Sequence, residues 1–295
     1  MINYIRKRMI RTTTGLFAHA PNPLENTQDY RGDPGLFGPD SVTWRVLGDV
    51  ATMVGGIRAL LIQSAHQEVA AGVADHSRYQ DDPLGRLSRT SAYVTATAFG
   101  ALPEVDAAVL TVRRAHRPVR GESHRLRGYA ADDPGQAAWV HNVLVDSFLA
   151  AHQKYGKDKL NERNADRFVA EQNAVGRLLD ANPLPRTADV LSDWVEYHPD
   201  IGLSPGMVNA VDFLRRPPLP LPVRFAYRIL FWAAVGTIPV SIRSVIGIRR
   251  KPGMVAMGKV MVKLLRWVLG SSPAWYQALM RIDEEPPEGH RFRNS

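Results

Sequence analysis

Three histidines lie where apolar residues recur at helical spacing. A neutral imidazole in such a place can hold a core hydrogen bond, carry a proton or ligate a metal. Val105, Val109, Val112, His116 and Val119 follow one another by alternating steps of four and three residues, which puts them on one stripe and turns His116 inward. His141 shares a face with Leu144, Val145 and Phe148, and His66 with Ile62, Val69 and Val73. Taken singly, each is more often a hydrogen-bonded core histidine than a ligand. Three in one chain shift the balance toward a site, although their spacing matches no short zinc motif and His-Glu-x-x-His is absent.

Around His116 the order is Arg113, His116, Arg120, so both guanidinium groups fall within about one turn of the imidazole. Two forks of this kind suit two carboxylates, as the propionates of a haem would supply. A basic helix end favoured by the macrodipole accounts for them equally well. In Asp82 to Thr90, a proline-started helix places Arg86 and Thr90 four residues apart. A cation and a hydroxyl facing one pocket can polarise bound dioxygen or stabilise a developing anion. The alternative is an Arg86 pair with Asp81 or Asp82 and a Thr90 hydroxyl bonded back to the preceding turn.

Composition narrows the chemistry. With 295 residues, 45% of them hydrophobic, the chain can bury a sizeable core. It has no cysteine, which removes disulfides, thiolate zinc, iron–sulfur clusters, covalently attached c-type haem and thiolate-ligated haem. The net charge of +8 permits attraction to anionic surfaces. No nucleic-acid-binding signature accompanies it, so no nucleic-acid partner is expected. Arg6, Lys7, Arg8 and Arg11 are followed by no apolar run of secretory length, and a cytoplasmic location is expected.

The elements that must position these residues read as helices. Residues 1–34 are rich in Pro, Gly, Asn and Asp and suggest an extended arm. Apolar periodicity then predicts helices from Ser41 to about Gly72, Asp82 to Phe99, Pro103 to Val119, Asp133 to Tyr155 and Asn161 to Leu179. Asp133-Pro134 has the form of an N-cap followed by proline at the first helical position. No run of alternating strands appears, so the expected fold is all-α: a single-domain bundle over residues 35–280 with a polar tail at 281–295. The segment Ile229 to Ile248 is strongly apolar, but Pro239 and Arg243 interrupt it; it predicts two half-helices rather than a membrane span. The C-terminal third is also a candidate for peripheral contact with lipid.

Several separated runs, in order, resemble the rubber oxygenase (latex-clearing) catalytic-domain family, which includes the oxygenase that cleaves the farnesyl chain in mycophenolic acid biosynthesis. They are Gly35-Leu36-Phe37-Gly38-Pro39-Asp40 through Arg45, Ala59 to His66 with Val69 to Ser77, Asp82-Pro83-Leu84-Gly85-Arg86 through Thr90, and Val112-Arg113 to His116 with Val119-Arg120-Gly121. Ala131 to Pro134, Trp139-Val140-His141, Ser147-Phe148 and Ile238-Pro239 look like its later signatures. The resemblance implies a helical fold enclosing one haem b and a reaction of dioxygen with a hydrophobic alkene, isoprenoid-like or aromatic substrate, as in oxidative cleavage of a carbon–carbon double bond. Carried over by position, His116 is the iron ligand, Arg113 and Arg120 flank it, and Arg86 and Thr90 are the polar pair near the haem. His66 is assigned to the catalytic group, and His141 and Arg89 to the cofactor side. The family tends to carry lysine immediately before the threonine; here it is Arg89, which cannot lose its proton to ligate iron. A non-catalytic haem-binding or membrane-surface protein is the alternative reading.

Overall fold

In a computed structural model, which describes residue 15 and residues 19–77 and 80–286, the chain is all-α. The four N-terminal basic residues and the polar tail from residue 287 onward lie outside the described residues. The helices are α1 (Val42–Leu47), α2 (Thr52–Gln63), α3 (Gln67–His76), α4 (Pro83–Phe99), α5 (Leu102–His116), α6 (Pro134–Tyr155), α7 (Glu162–Arg177), α8 (Ala188–Glu196), α9 (Pro205–Arg215), α10 (Leu221–Val235), α11 (Val240–Val245), α12 (Met254–Leu269) and α13 (Pro273–Arg281). Between α5 and α6, β1 (Arg120–Glu122) and β2 (Gly128–Ala130) form an antiparallel hairpin that periodicity did not announce.

The helix starts follow local chemistry. Asp82, Asp133 and Asn161 each accept a hydrogen bond from a main-chain N–H three residues on, at 3.0, 2.9 and 2.9 Å; these are orphan donors that a helix start must satisfy. The single helix expected from Ser41 to Gly72 is instead three, and the reason is both local and distant. Gly48 closes α1. The Ser64 hydroxyl turns back to the Leu61 carbonyl at 2.8 Å. His66 is then extended and bridges Ile201, while Gly202 N–H donates to the Ala65 carbonyl and Gln67 N–H to the Asp200 carbonyl. A strand-like contact made by a distant segment overrides the helical period. Ile229 to Ile248 is broken as expected, with α10 ending at Val235 and α11 starting at Val240. Among the described residues no helix is long and apolar enough to cross a membrane.

The contacts sort the chain into two compact units, Met1–Val50 with Arg78–Val112 and Lys263–Ser295, and Ala51–Ser77 with Arg113–Val262. In the first, α1 and α13 pack on α4. Trp44 lies against Phe99 and donates its indole N–H to the Ala98 carbonyl at 2.8 Å. Arg281, fully buried, donates to the Asp33 carbonyl, the Thr27 hydroxyl and the Phe99 carbonyl. Gly35 has φ +72°, and a Cβ there would overlap the Gly100 carbonyl, so only glycine fits.

In the second unit α2 packs along α6 so closely that a Cβ on Gly55 would sit 2.7 Å from the Phe148 ring. Beside that contact the buried Arg58 donates to Asp146 at 2.6 Å and to the Ser147 hydroxyl at 2.8 Å. Helix α10 covers α2, and α3 packs against α9 and the hairpin. Tyr129 of β2 faces Gly72 and donates its hydroxyl to Asp75. Helices α7 and α8 flank α6.

Candidate functional site

The histidine positions identified in the sequence occupy three different environments. His116 ends α5 with its ring half-buried, and the ring makes no hydrogen bond among the described residues, while its carbonyl accepts from Val119 N–H at 2.9 Å. Burial lowers its pKa, with Asp132 pulling the other way, so the ring favours the neutral form a metal ligand needs. The flanking arginines are already held. Arg113 donates to Asp180 at 2.7 Å and to the Leu178 carbonyl. Arg120 pairs with Asp132 and with the Arg117 carbonyl. Both guanidiniums are more than a third exposed and make the kind of contact with carboxylates that a propionate would make.

His141 lies on α6. Its Nε2 is out of solvent and without a partner, and burial lowers its pKa to about 4 against a main-chain hydrogen bond to Gln172. A Cβ on Gly176 would come 2.9 Å from that nitrogen, with Leu184 beside it. The orphaned atom therefore faces a packed helix rather than a slot.

His66 is not a mid-helix residue as its spacing suggested. It is the N-cap of α3, where its Nδ1 accepts from Val69 N–H at 3.4 Å. Around it the hairpin and the segment following α8 gather a charged cluster. Arg125 grips the buried Glu68 with two parallel bonds at 3.0 and 2.6 Å and reaches Asp200 at 2.9 Å, where Arg127 joins at 3.1 Å. The Ser123 hydroxyl completes the shell of Glu68 at 3.1 Å. Trp139 and His198 lie tilted against His66 at ring separations of 5.4 and 5.2 Å, and Trp194 lies 4.7 Å from His198.

The electrostatics of this cluster balance. Burial raises the Glu68 and Asp200 carboxyls, but the Arg125 hydrogen bonds outweigh it and both end below their usual values. Burial, then His198, depresses His66 to about 4, with Asp200 and Glu68 opposing. The core is thus two carboxylates, two guanidiniums and neutral imidazoles. One nitrogen each of His66 and His198 and one oxygen of Asp200 lie within 4.8 Å of one another, close enough to share a metal ion. Since Arg125 and Arg127 already neutralise the carboxylates, a divalent ion would have to compete with a complete set of ion pairs.

The remaining expected residues lie on α4 in the other unit. The Thr90 hydroxyl donates to the Arg86 carbonyl at 3.1 Å, the back-bonded alternative weighed for it. Arg89, rather than Arg86, pairs with Asp82 at 3.2 Å, and the Arg86 side chain is half-buried. Sequence reasoning missed His198, Asp200 and Arg125. Each reaches the cluster from an irregular segment, and periodicity carries no signal for loop residues.

Comparison with known proteins completes the picture. Residues 44–267 match the family model described as ER-bound oxygenase mpaB/B'/Rubber oxygenase, catalytic domain. That span takes in α2 to α11 with both the His116 and His66 regions. No curated protein and no solved structure matches the chain. With most of its length matched in one stretch, the chain belongs to the mpaB/rubber oxygenase catalytic-domain family.

Proposed function

We propose that the protein is a haem b-dependent oxygenase that uses dioxygen on a hydrophobic, alkene, isoprenoid-like or aromatic substrate, with His116 as the iron ligand. The family is one of oxygenase catalytic domains, which supports an oxidoreductase; the finer assignment rests on the donors this chain offers. The observation that carries it is the half-buried His116 ring, which has no hydrogen bond among the described residues. His66 and His141, by contrast, are taken up by a helix cap and by packing against Gly176. The residues fit a b-type haem in donor chemistry. An imidazole is present, no cysteine competes, and two guanidiniums near His116 already bind carboxylates.

In this reading a bound haem supplies the iron at which dioxygen is activated. His116 would hold the group through one ring nitrogen. Arg113 and Arg120, which already bind carboxylates, would hold its propionates. The resemblance carries Arg86 and Thr90 over as a polar pair, of which the Thr90 hydroxyl is here bonded back to the Arg86 carbonyl, and His66 stays neutral in its cap.

The test is an absorption spectrum and haem content per folded monomer, with circular dichroism as a control. Wild-type protein is expected to carry extractable b-type haem with a Soret band, and His116→Ala to lose it. His66→Ala and His141→Ala are expected to retain it. Colourless protein that hemin cannot reconstitute would overturn the proposal, and so would a His116→Ala variant with the wild-type spectrum. Oxygen uptake with a lipophilic alkene separates turnover from the non-catalytic alternative.

A further inference from the structure

A concentration of charge without counter-charge lies within the second unit. A cleft of about 330 Å³ is lined by Arg215, Arg216, Arg224, Arg228 and Lys251 around Trp232. A recess next to it shares Arg215, Trp232 and Lys251 and adds Arg249 and Arg250. No carboxylate lines either. Among the described residues none of these seven cations forms an ion pair. Elsewhere in this unit arginines find acids, as Arg58, Arg113, Arg120 and Arg125 do. Lys251 Nζ sits 4.4 Å from the Trp232 ring centroid and the Arg215 guanidinium 5.9 Å, so the indole orients two of the cations without neutralising them. Seven like charges gathered on the cleft and its neighbouring recess repel one another unless an anion joins them.

The helix that carries part of the cleft indicates which anion. On α10, Leu221, Arg224, Phe225 and Arg228 fall at steps of three, one and three residues, all are exposed, and Leu221 and Phe225 are 74% and 66% accessible. They form one stripe in which apolar and cationic side chains alternate. A nucleic acid would use the arginines and leave Leu221 and Phe225 in water. The surface of an anionic bilayer satisfies both, taking the guanidiniums at its phosphates and the apolar side chains at the acyl boundary.

We infer that the Trp232 cleft and the exposed α10 stripe form a docking site for the phosphate headgroups of anionic phospholipids, which holds the protein on a membrane surface without spanning it. This inference is independent of the haem assignment.

The experiment is co-sedimentation of the full chain with vesicles of phosphatidylcholine alone or mixed with phosphatidylglycerol, across a salt series. Selective binding to the mixed vesicles, weakening as salt rises, is expected. Arg224→Glu combined with Arg228→Glu should reduce partitioning about tenfold or more, since each basic residue near such a surface contributes about 1 kcal/mol. Phe225→Ala should weaken binding several-fold even at high salt. Arg177→Glu, at the end of α7, should leave it unchanged, with circular dichroism confirming folding throughout. Failure to bind mixed vesicles would overturn the inference, as would equal losses in Arg177→Glu. A labelled DNA oligonucleotide retained in place of vesicles would assign the cleft to nucleic acid. Saturation by inorganic phosphate with no vesicle selectivity would assign it to a small soluble anion.

Discussion

Glu68 and Arg125 show how one side chain makes another tolerable. The buried carboxylate is held by a two-pronged guanidinium at 3.0 and 2.6 Å, a geometry that lysine cannot reproduce. Arg125→Ala removes the fork and leaves Glu68 with the Ser123 hydroxyl. We expect a loss of about 3 kcal/mol in urea unfolding, and a mutant as stable as wild type would show the network to be ornamental. His66 adds a pH dependence. Its folded pKa, near 4, lies below its ordinary 6.5, so between those values the unfolded chain binds a proton that the folded one refuses. Stability from this group is complete above pH 6.5 and declines toward pH 4, by roughly 3 kcal/mol at most. His66→Asn should flatten that part of the stability profile, and an unchanged slope would place the titration elsewhere. The sequence marked His66 as inward-facing and next to Glu68, but the cation lies 57 residues from Glu68, beyond what a helical period can register.

Helices were legible where their signals are local. Asp82-Pro83, Asp133-Pro134 and Asn161 start α4, α6 and α7 as read, because a cap and its N–H partner are three residues apart. The break between α2 and α3 was not legible, since it depends on Ile201 and Gly202 pairing across to His66 and Ala65. Close helix contacts were equally hidden. Gly55 reads as a weak helix residue, yet it lets α2 and α6 meet where Phe148 and the Ser147 carbonyl would block a side chain, at 2.7 and 3.1 Å. Gly55→Val should therefore cost about 1 to 3 kcal/mol through overpacking, more than the gain in helix propensity returns, and should lower the thermal midpoint. If Gly55→Val raised the midpoint, the two helices would have room that their separation denies.

At the scale of the molecule, the all-α class and the family were both readable, the class from period and the family from ordered runs spread over the chain. The division into two units was not, because the first unit joins three separated stretches of sequence. That arrangement sets an order of events during synthesis. Arg281 fills a cage made by Thr27, Asp33 and Phe99, and it follows Phe99 by 182 residues. At about 5 to 20 residues per second, the cage waits roughly 10 to 40 seconds for its occupant. Meanwhile Ala51–Ser77 and Arg113–Val262 can close on each other, since every segment of that unit emerges before α13. Released chains truncated before Pro273 should thus resist protease across residues 113–262 and be cut in residues 19–50, with protection of the latter appearing once α13 is added. The early segment, whose Thr27 hydroxyl and Asp33 and Phe99 carbonyls still lack Arg281, is the part of the nascent chain that a ribosome-associated chaperone would need to shield.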